Sequence, residues 1–212
     1  EKRDRKRMAM VRADYTLQPW VRTPEDIVRA LGPVRDATAQ VGRPSPEYKR
    51  VWASVAKNSD AVIRQAFEEA LSRDPERAKT WVTLVDGDPH QLKRVAAIGK
   101  EFGVEVMIVL DVIHMTEYLW KAAHAFHKDG TRKAQQWVSE RLLRVLQGRA
   151  STVAGGMRRS ATRRNLSGTK RKAVDRCANY MLKHKQFMRY DLFLALGLPI
   201  GTGVIEGACR HL

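Results

Sequence analysis

Trp81-Val-Thr-Leu-Val85, closed by Asp86-Gly87, and Val104-Glu-Val-Met-Ile-Val-Leu110, closed by Asp111, are the two stretches that decide the fold class. The first is a short apolar run with β-branched residues that ends on a turn dipeptide, the pattern of a strand. The second is almost wholly apolar, as expected of a strand covered on both faces. Between them Leu92, Val95, Ala96, Gly99 and Phe102 recur at helical spacing. Strand, helix and strand in about 30 residues make a βαβ unit, whose strands are expected to be parallel neighbours.

On the amino-terminal side, Arg7 to Leu17 mixes apolar and polar residues in near alternation and reads as another strand, approached by Lys2, Arg3, Arg5, Lys6 and Arg7. Thr23-Pro-Glu-Asp26 is a helix start with Pro24 at the first helical position. The prolines and glycines between Gly32 and Pro46 mark a loop. From Pro46 to Ser72, apolar residues at Trp52, Val55, Val62, Ala66, Phe67, Ala70 and Leu71 predict one amphipathic helix.

Beyond Asp111 strand signals disappear. Tyr118, Leu119, Ala122 and Phe126 mark one helix; Ala134, Trp137, Val138, Leu142, Val145 and Leu146 mark a second, closed by Gly148. Residues 156–176 are densely basic, and Val174, Cys177, Ala178, Met181 and Leu182 share one face of a further helix. Gly197-Leu-Pro-Ile-Gly-Thr-Gly203 reads as a loop, and Val204 to Leu212 as a helix capped by Thr202 and carrying Glu206. The chain opens on Glu1 and stops inside that helix, so both ends are expected to be cut.

Composition narrows the class of partner. A hydrophobic share of 43% is enough for a packed core and argues against disorder. The net charge of +16 repels itself unless a polyanion is near, either nucleic acid or an anionic membrane surface. No apolar run approaches the roughly 20 residues of a membrane span, and no signal peptide opens the chain. Cys177 and Cys209 stand far apart, which fits a reducing compartment and excludes a zinc finger.

Three acids could carry chemistry. Asp86 and Asp111 close the two strands of the βαβ unit, where ligands bind in open α/β sheets. Two carboxylates at one sheet edge repel and call for a divalent cation. Glu206 enters its helix through a glycine-rich loop that lets a carboxylate press against a sheet edge. Acids on two strands and one helix can bind two magnesium ions about 3.5–4 Å apart for in-line attack on a phosphodiester. Each signal also has an ordinary reading. Asp-Gly at a strand end is commonly a turn, Glu near a helix start a dipole partner, and a histidine such as His114 a structural donor. The cations Arg158, Arg159, Arg163, Arg164, Lys170, Arg171, Lys172 and Arg176, facing only Asp175 in 156–176, read as a track for phosphates.

Taken together, Asp86-Gly87, Asp111-Val-Ile-His114 with Tyr118-Leu-Trp120, and Leu198-Pro-Ile-Gly-Thr-Gly-Val-Ile-Glu-Gly-Ala-Cys-Arg-His-Leu212 resemble the ISKra-family insertion-sequence transposases. The resemblance spans nearly the whole chain, and its most specific part is Thr202-Gly-Val-Ile-Glu-Gly-Ala-Cys-Arg210. It implies an α/β, RNase-H-like mixed sheet with flanking helices, Asp-Asp-Glu catalysis with magnesium or manganese, and a large all-helical insertion before the last acid. Residues 1–114 would then be a partial catalytic core, 115–200 the insertion, and 201–212 the start of the helix bearing Glu206.

Two assignments of the acids stay open. In one, Asp86, Asp111 and Glu206 are the three metal ligands. The other follows the related Mutator-like transposases, whose first acid lies on the first strand and whose second is an Asp-Gly followed by a (Cys/Asp)-x-x-His motif. Asp86 is then the second acid, Asp111 with His114 the auxiliary pair, and Glu206 the third acid, with the first upstream of Glu1. The strand at 7–17 has the position of a second or third strand, which favours this second assignment. The expected activity is cleavage and strand transfer at transposon ends, on double-stranded DNA, by a homo-oligomer in the bacterial cytoplasm and nucleoid. This truncated chain alone would be inactive, and the family's end-binding region is absent from it. The rivals are an RNase-H-like nuclease or resolvase, and a non-catalytic DNA-binding protein derived from a transposase.

Overall fold

A computed structural model describes residues 10–31 and 44–202. Glu206, Cys209, the cluster Lys2 to Arg7 and most of the loop expected from Gly32 lie outside the described residues. Four strands and eight α-helices follow in the order β1 (Met10–Thr16), α1 (Pro24–Ala30), β2 (Glu47–Ser54), α2 (Ser59–Arg73), β3 (Trp81–Val85), α3 (Pro89–Glu101), β4 (Val106–Leu110), α4 (Val112–Ala123), α5 (Arg132–Leu146), α6 (Ala150–Arg163), α7 (Gly168–His184) and α8 (Tyr190–Ala195). This is a mixed α/β chain with two small sheets, β1 with β2 and β3 with β4. No helix among the described residues is long and apolar enough to cross a membrane.

The chain divides into two compact units. Among the described residues, 10–18, 44–108 and 202 form the first, and 19–31 and 109–201 form the second. The division departs from the sequence expectation of a core ending at 114, because α1 goes with the helices.

In the first unit β1 runs antiparallel to β2, with Arg12 opposite Trp52 and Ala13 opposite Val51. The predicted single helix from 46 to 72 is therefore wrong in its first half. Residues 47–54 are a strand, and the helix begins only at Ser59, where the Asn58 side chain accepts the Ala61 amide at 2.9 Å. Trp52 and Val55 fell on a helical period by chance, whereas Trp52 belongs to the β1–β2 register. The βαβ stretch forms as expected: Asp88 caps α3 by accepting from the Gln91 amide, Pro89 starts the helix, and β3 and β4 pair. Phe67, Val95 and Ile98 form the core beneath, with Trp81, Phe102 and Val106 packed around them. The Phe67 ring lies 5.9 Å from Trp81 and 5.6 Å from Phe102, centroid to centroid.

Asp74 ties α2 to β3. Its carboxylate accepts from the Trp81 indole at 2.9 Å and from the Ala78 and Lys79 amides, each at 3.0 Å. These donors, the indole first, hold its pKa below the usual carboxylate value. A depressed pKa gives stability that is complete above the unfolded value, about pH 4, and lost as the pH falls through the folded value. In urea titrations the gap between the parent chain and Asp74→Ala is expected to be constant near neutrality and to narrow below about pH 4. A gap independent of pH would show that the charge of Asp74 is not what matters.

The second unit is a helical bundle whose core includes Leu110, Met115, Leu119, Leu146, Met157, Met181, Met188, Tyr190 and Leu194, all nearly or wholly buried. The basic stretch 156–176 is not one segment. It is the end of α6, a turn at 164–167 and the start of α7. On α7 Val174, Cys177, Ala178 and Met181 are buried as predicted, whereas Leu182 faces outward at 37% exposure. Burial pushes the Cys177 thiol up to about 12, so it behaves as a small apolar side chain.

The segment before α1 is stitched to the end of the bundle. The Trp20 amide donates to the Gly197 carbonyl at 2.9 Å, and the Arg22 guanidinium donates to the Leu198 carbonyl. Gly197 has a φ of 72°, and a Cβ there would sit 2.6 Å from the Trp20 nitrogen. Both the left-handed backbone and the close approach demand glycine. At the start of α1, Thr23 and Asp26 form a reciprocal capping box, with Asp26 where Glu or Gln is more usual.

Candidate functional site

Asp86 is exposed at the end of β3, followed by Gly87 with a φ of 93°. Its Oδ1 accepts from the Asp88 amide at 2.9 Å, so the residue shapes the turn that launches α3. That is the ordinary role of an Asp-Gly, and it coexists with a solvent-facing carboxylate at a strand end. Asp14, in the middle of β1 in the same unit, is a different kind of acid. It pairs with Arg12 at 3.4 Å, and burial, opposed by Arg12 and Arg73, raises its pKa.

Asp111 belongs to the second unit, where it is buried and caps α4 by accepting from the Ile113 amide at 2.9 Å. The carbonyl of the preceding Leu110 accepts from the Tyr190 hydroxyl at 2.9 Å across 80 residues of sequence. Burial foremost, then Tyr180 and Asp111, raises the Tyr190 hydroxyl well above its usual pKa, so it remains a donor. The Val112 amide donates to the Ile200 carbonyl at 2.8 Å. A Cβ on Gly201 would lie 3.3 Å from Val112 Cγ1 and 3.7 Å from Asp111 Oδ1. The chain a few residues before Glu206 is thus fastened to the turn that carries Asp111.

His114 stands one helical turn on, with Nδ1 3.8 Å from a Glu117 carboxylate oxygen. Its ring meets Tyr118 and Tyr180 edge-on at 5.4 and 5.9 Å, and those two tyrosines stack at 4.0 Å and 9°. His184 adds a fourth ring, 4.5 Å from Tyr180, and its Nδ1 lies 2.9 Å from the Tyr180 carbonyl one turn back on the same helix. Tyr180, His184 and Tyr190 were not singled out in the sequence. The i, i+4 spacing of Tyr180 and His184 beside the buried face of α7 was the available signal; Tyr190 offered none.

The predicted cationic track divides into two groups. Arg158 donates to Asn179 and lies 3.5 Å from Asp175, while Arg171 reaches Asp175 at 2.8 Å and donates to Thr162 at 3.0 Å. Arg164 lies over the Phe126 ring, 5.4 Å from its centroid. Arg159, Arg163, Lys170 and Lys172 are exposed and make no ion pair among the described residues.

Carboxylates are the right donors for a hard cation such as magnesium. Among the described residues, however, no three His, Cys, Asp or Glu side chains are grouped to hold one. Asp86 and Asp111 fall in different units, and Glu206 lies outside the described residues. Compared with protein-family models, curated proteins and solved structures, the chain matches none.

Proposed function

We propose that the chain is a catalytic-core segment of a DNA transposase that cuts and joins phosphodiesters at transposon ends, with an RNase-H-like sheet interrupted by the helical bundle. One observation carries the reading. Although five helices intervene, the residues leading into the segment of Glu206 return to Asp111 through the Val112–Ile200 hydrogen bond and the packing of Gly201. An insertion that leaves and re-enters a catalytic core at one place behaves this way. The order of elements also supports it. β1, β2, α2, β3, α3 and β4 precede the bundle, and each two-stranded sheet has outer edges unpaired among the described residues that a further strand could join.

In this proposal Asp86 and Glu206 hold a divalent cation together with a third acid, and Asp111 with His114 is the auxiliary pair. The bond from Asp111 to the Ile113 amide favours that role, because it commits one carboxylate oxygen to ordering the α4 start. Magnesium or manganese would stabilise the attacking and leaving oxygens. The described residues do not complete its ligand set, so no step is derived through the metal. What this chain itself supplies is Asp86 presented to solvent at a strand end, Asp111 fixed by the helix it caps, and cations for the DNA backbone. A homo-oligomer acting in the bacterial cytoplasm and nucleoid is part of the same proposal.

The test is a strand-transfer assay with a protein that carries all three proposed acids, using a labelled transposon end and a target plasmid. Metal-dependent cleavage followed by joining is expected. Cleavage without joining would identify a resolvase-like nuclease. Binding without any cleavage would identify a non-catalytic DNA-binding derivative.

A further inference from the structure

We infer that the outward face of the α6–α7 hairpin seats the backbone of duplex DNA in two rows of cations braced by an internal ion-pair strut. The inference rests on the DNA-binding part of the proposed function, and assigns a surface to it. On α6 the buried positions are Ala150, Val153, Ala154, Met157 and Ala161. At about 100° per residue the opposite side of that helix carries Arg159 and Arg163. On α7 the buried positions include Val174, Cys177, Ala178 and Met181, and the opposite side carries Lys172, Arg176 and Lys183. All five cations are exposed, and none has an ion pair among the described residues.

Between the two rows the helices are locked. Asp175, the only acid from Ala150 to His184, is shared by Arg158 of α6 and Arg171 of α7. Arg158 also donates to Asn179 of α7, and Arg171 to Thr162 of α6. These contacts hold the rows at a fixed spacing, so Arg158 and Arg171 are positioning residues. The cation set read from sequence therefore changes. Arg158, Arg164 and Arg171 are engaged within the fold, whereas Arg176 stays on the surface and Lys183 joins it.

Geometry and chemistry select the partner. Lys172 to Lys183 covers eleven residues of helix, about 17 Å, a length over which duplex DNA presents a charge roughly every 1.7 Å of its axis. Upstream of Arg159 the same side of α6 bears Thr152, Gly155 and Gly156, and a Cβ at either glycine would meet nothing within 4 Å, so only small residues flank the arginine there. Single-strand binders add aromatic platforms for bases. Neither row contains one, and Tyr180, the aromatic residue of α7, is buried. A face of cations without base-reading groups grips phosphates and tolerates sequence.

The test is fluorescence anisotropy of the intact chain with a labelled mixed-sequence duplex over a salt series. Single-stranded DNA of the same length and phosphatidylserine vesicles are parallel ligands. Arg159→Gln, Arg163→Gln, Lys172→Gln and Arg176→Gln are combined in one variant. Four Lys→Gln changes at the exposed Lys79, Lys93, Lys100 and Lys133 give a control of equal charge. The first variant is expected to keep its melting temperature and to lose about 0.9 from the log–log salt slope for each contact removed, up to about 3.6. The control is expected to lose much less. Equal losses in the two variants, or tighter binding to single strands or vesicles than to duplex, would overturn the surface. Duplex binding with an unchanged slope in the first variant would also overturn it while leaving DNA binding intact. No duplex binding by the parent chain would defeat DNA binding and the surface together.

Discussion

Asp86→Asn, in a protein that carries all three proposed acids, is expected to remove DNA cleavage, while Asp111→Asn reduces it only about 10–100-fold. The difference follows from what each carboxylate does. Asp86 is exposed at a strand end and is the metal ligand common to both assignments of the acids. Losing a ligand removes charge stabilisation worth several kcal/mol in the transition state, or at least three orders of magnitude in rate. Asp111 caps α4 and orients the His114 segment, and asparagine is itself a good cap, so the α4 start survives. Cleavage rates and metal titrations of the two variants give the answer. Complete inactivation by both, with metal binding lost in each, would instead make Asp86, Asp111 and Glu206 the whole triad.

Tyr190→Ala is expected to destabilise the helical unit by about 3–5 kcal/mol, the cost of emptying a fully buried aromatic site. Tyr190→Phe separates packing from hydrogen bonding. It keeps the ring and leaves the buried Leu110 carbonyl without its donor, at a cost of about 1–3 kcal/mol. Chemical denaturation followed by helix signal measures both. A Phe variant as stable as the parent would mean that the Leu110 carbonyl finds another donor. A Phe variant as unstable as Ala would mean that the hydroxyl carries the whole effect.

Local signals explain why some of the fold was legible in sequence. β3, α3 and β4 each carry their own boundary chemistry: Asp86-Gly87, Asp88 with Pro89, and a run of apolar residues ending at Asp111. β2 carries none. Glu47 to Arg50 are exposed, Tyr48 has a φ of 51°, and the strand exists because β1, far back in the chain, offers it a partner. Pairing of that kind has no local period to read. α6 was hidden for a different reason: Gly155-Gly156 and the arginines interrupt an apolar face made largely of alanines. At the candidate site, Asp111 was legible as the end of a strand and is also the cap of α4, but Tyr190, Tyr180 and the Ile200–Gly201 return depend on contacts across many tens of residues. Whether Asp86 meets Glu206 lies outside the described residues.

The stitch between Arg22 and Leu198, 176 residues apart, has a consequence for synthesis on the ribosome. At roughly 5–20 residues per second, the strand of chain around Trp20 emerges on the order of 9–35 s before its partner exists. Until α5 has emerged, the apolar side of α1, with Ile27, lacks the helix it packs against, while residues 44–108 can already condense around Phe67. The first helix to be made therefore waits for α5 to cover it and for Gly197 and Leu198 to pin the segment before it, and a nascent chain stalled before Arg132 would expose it to chaperones.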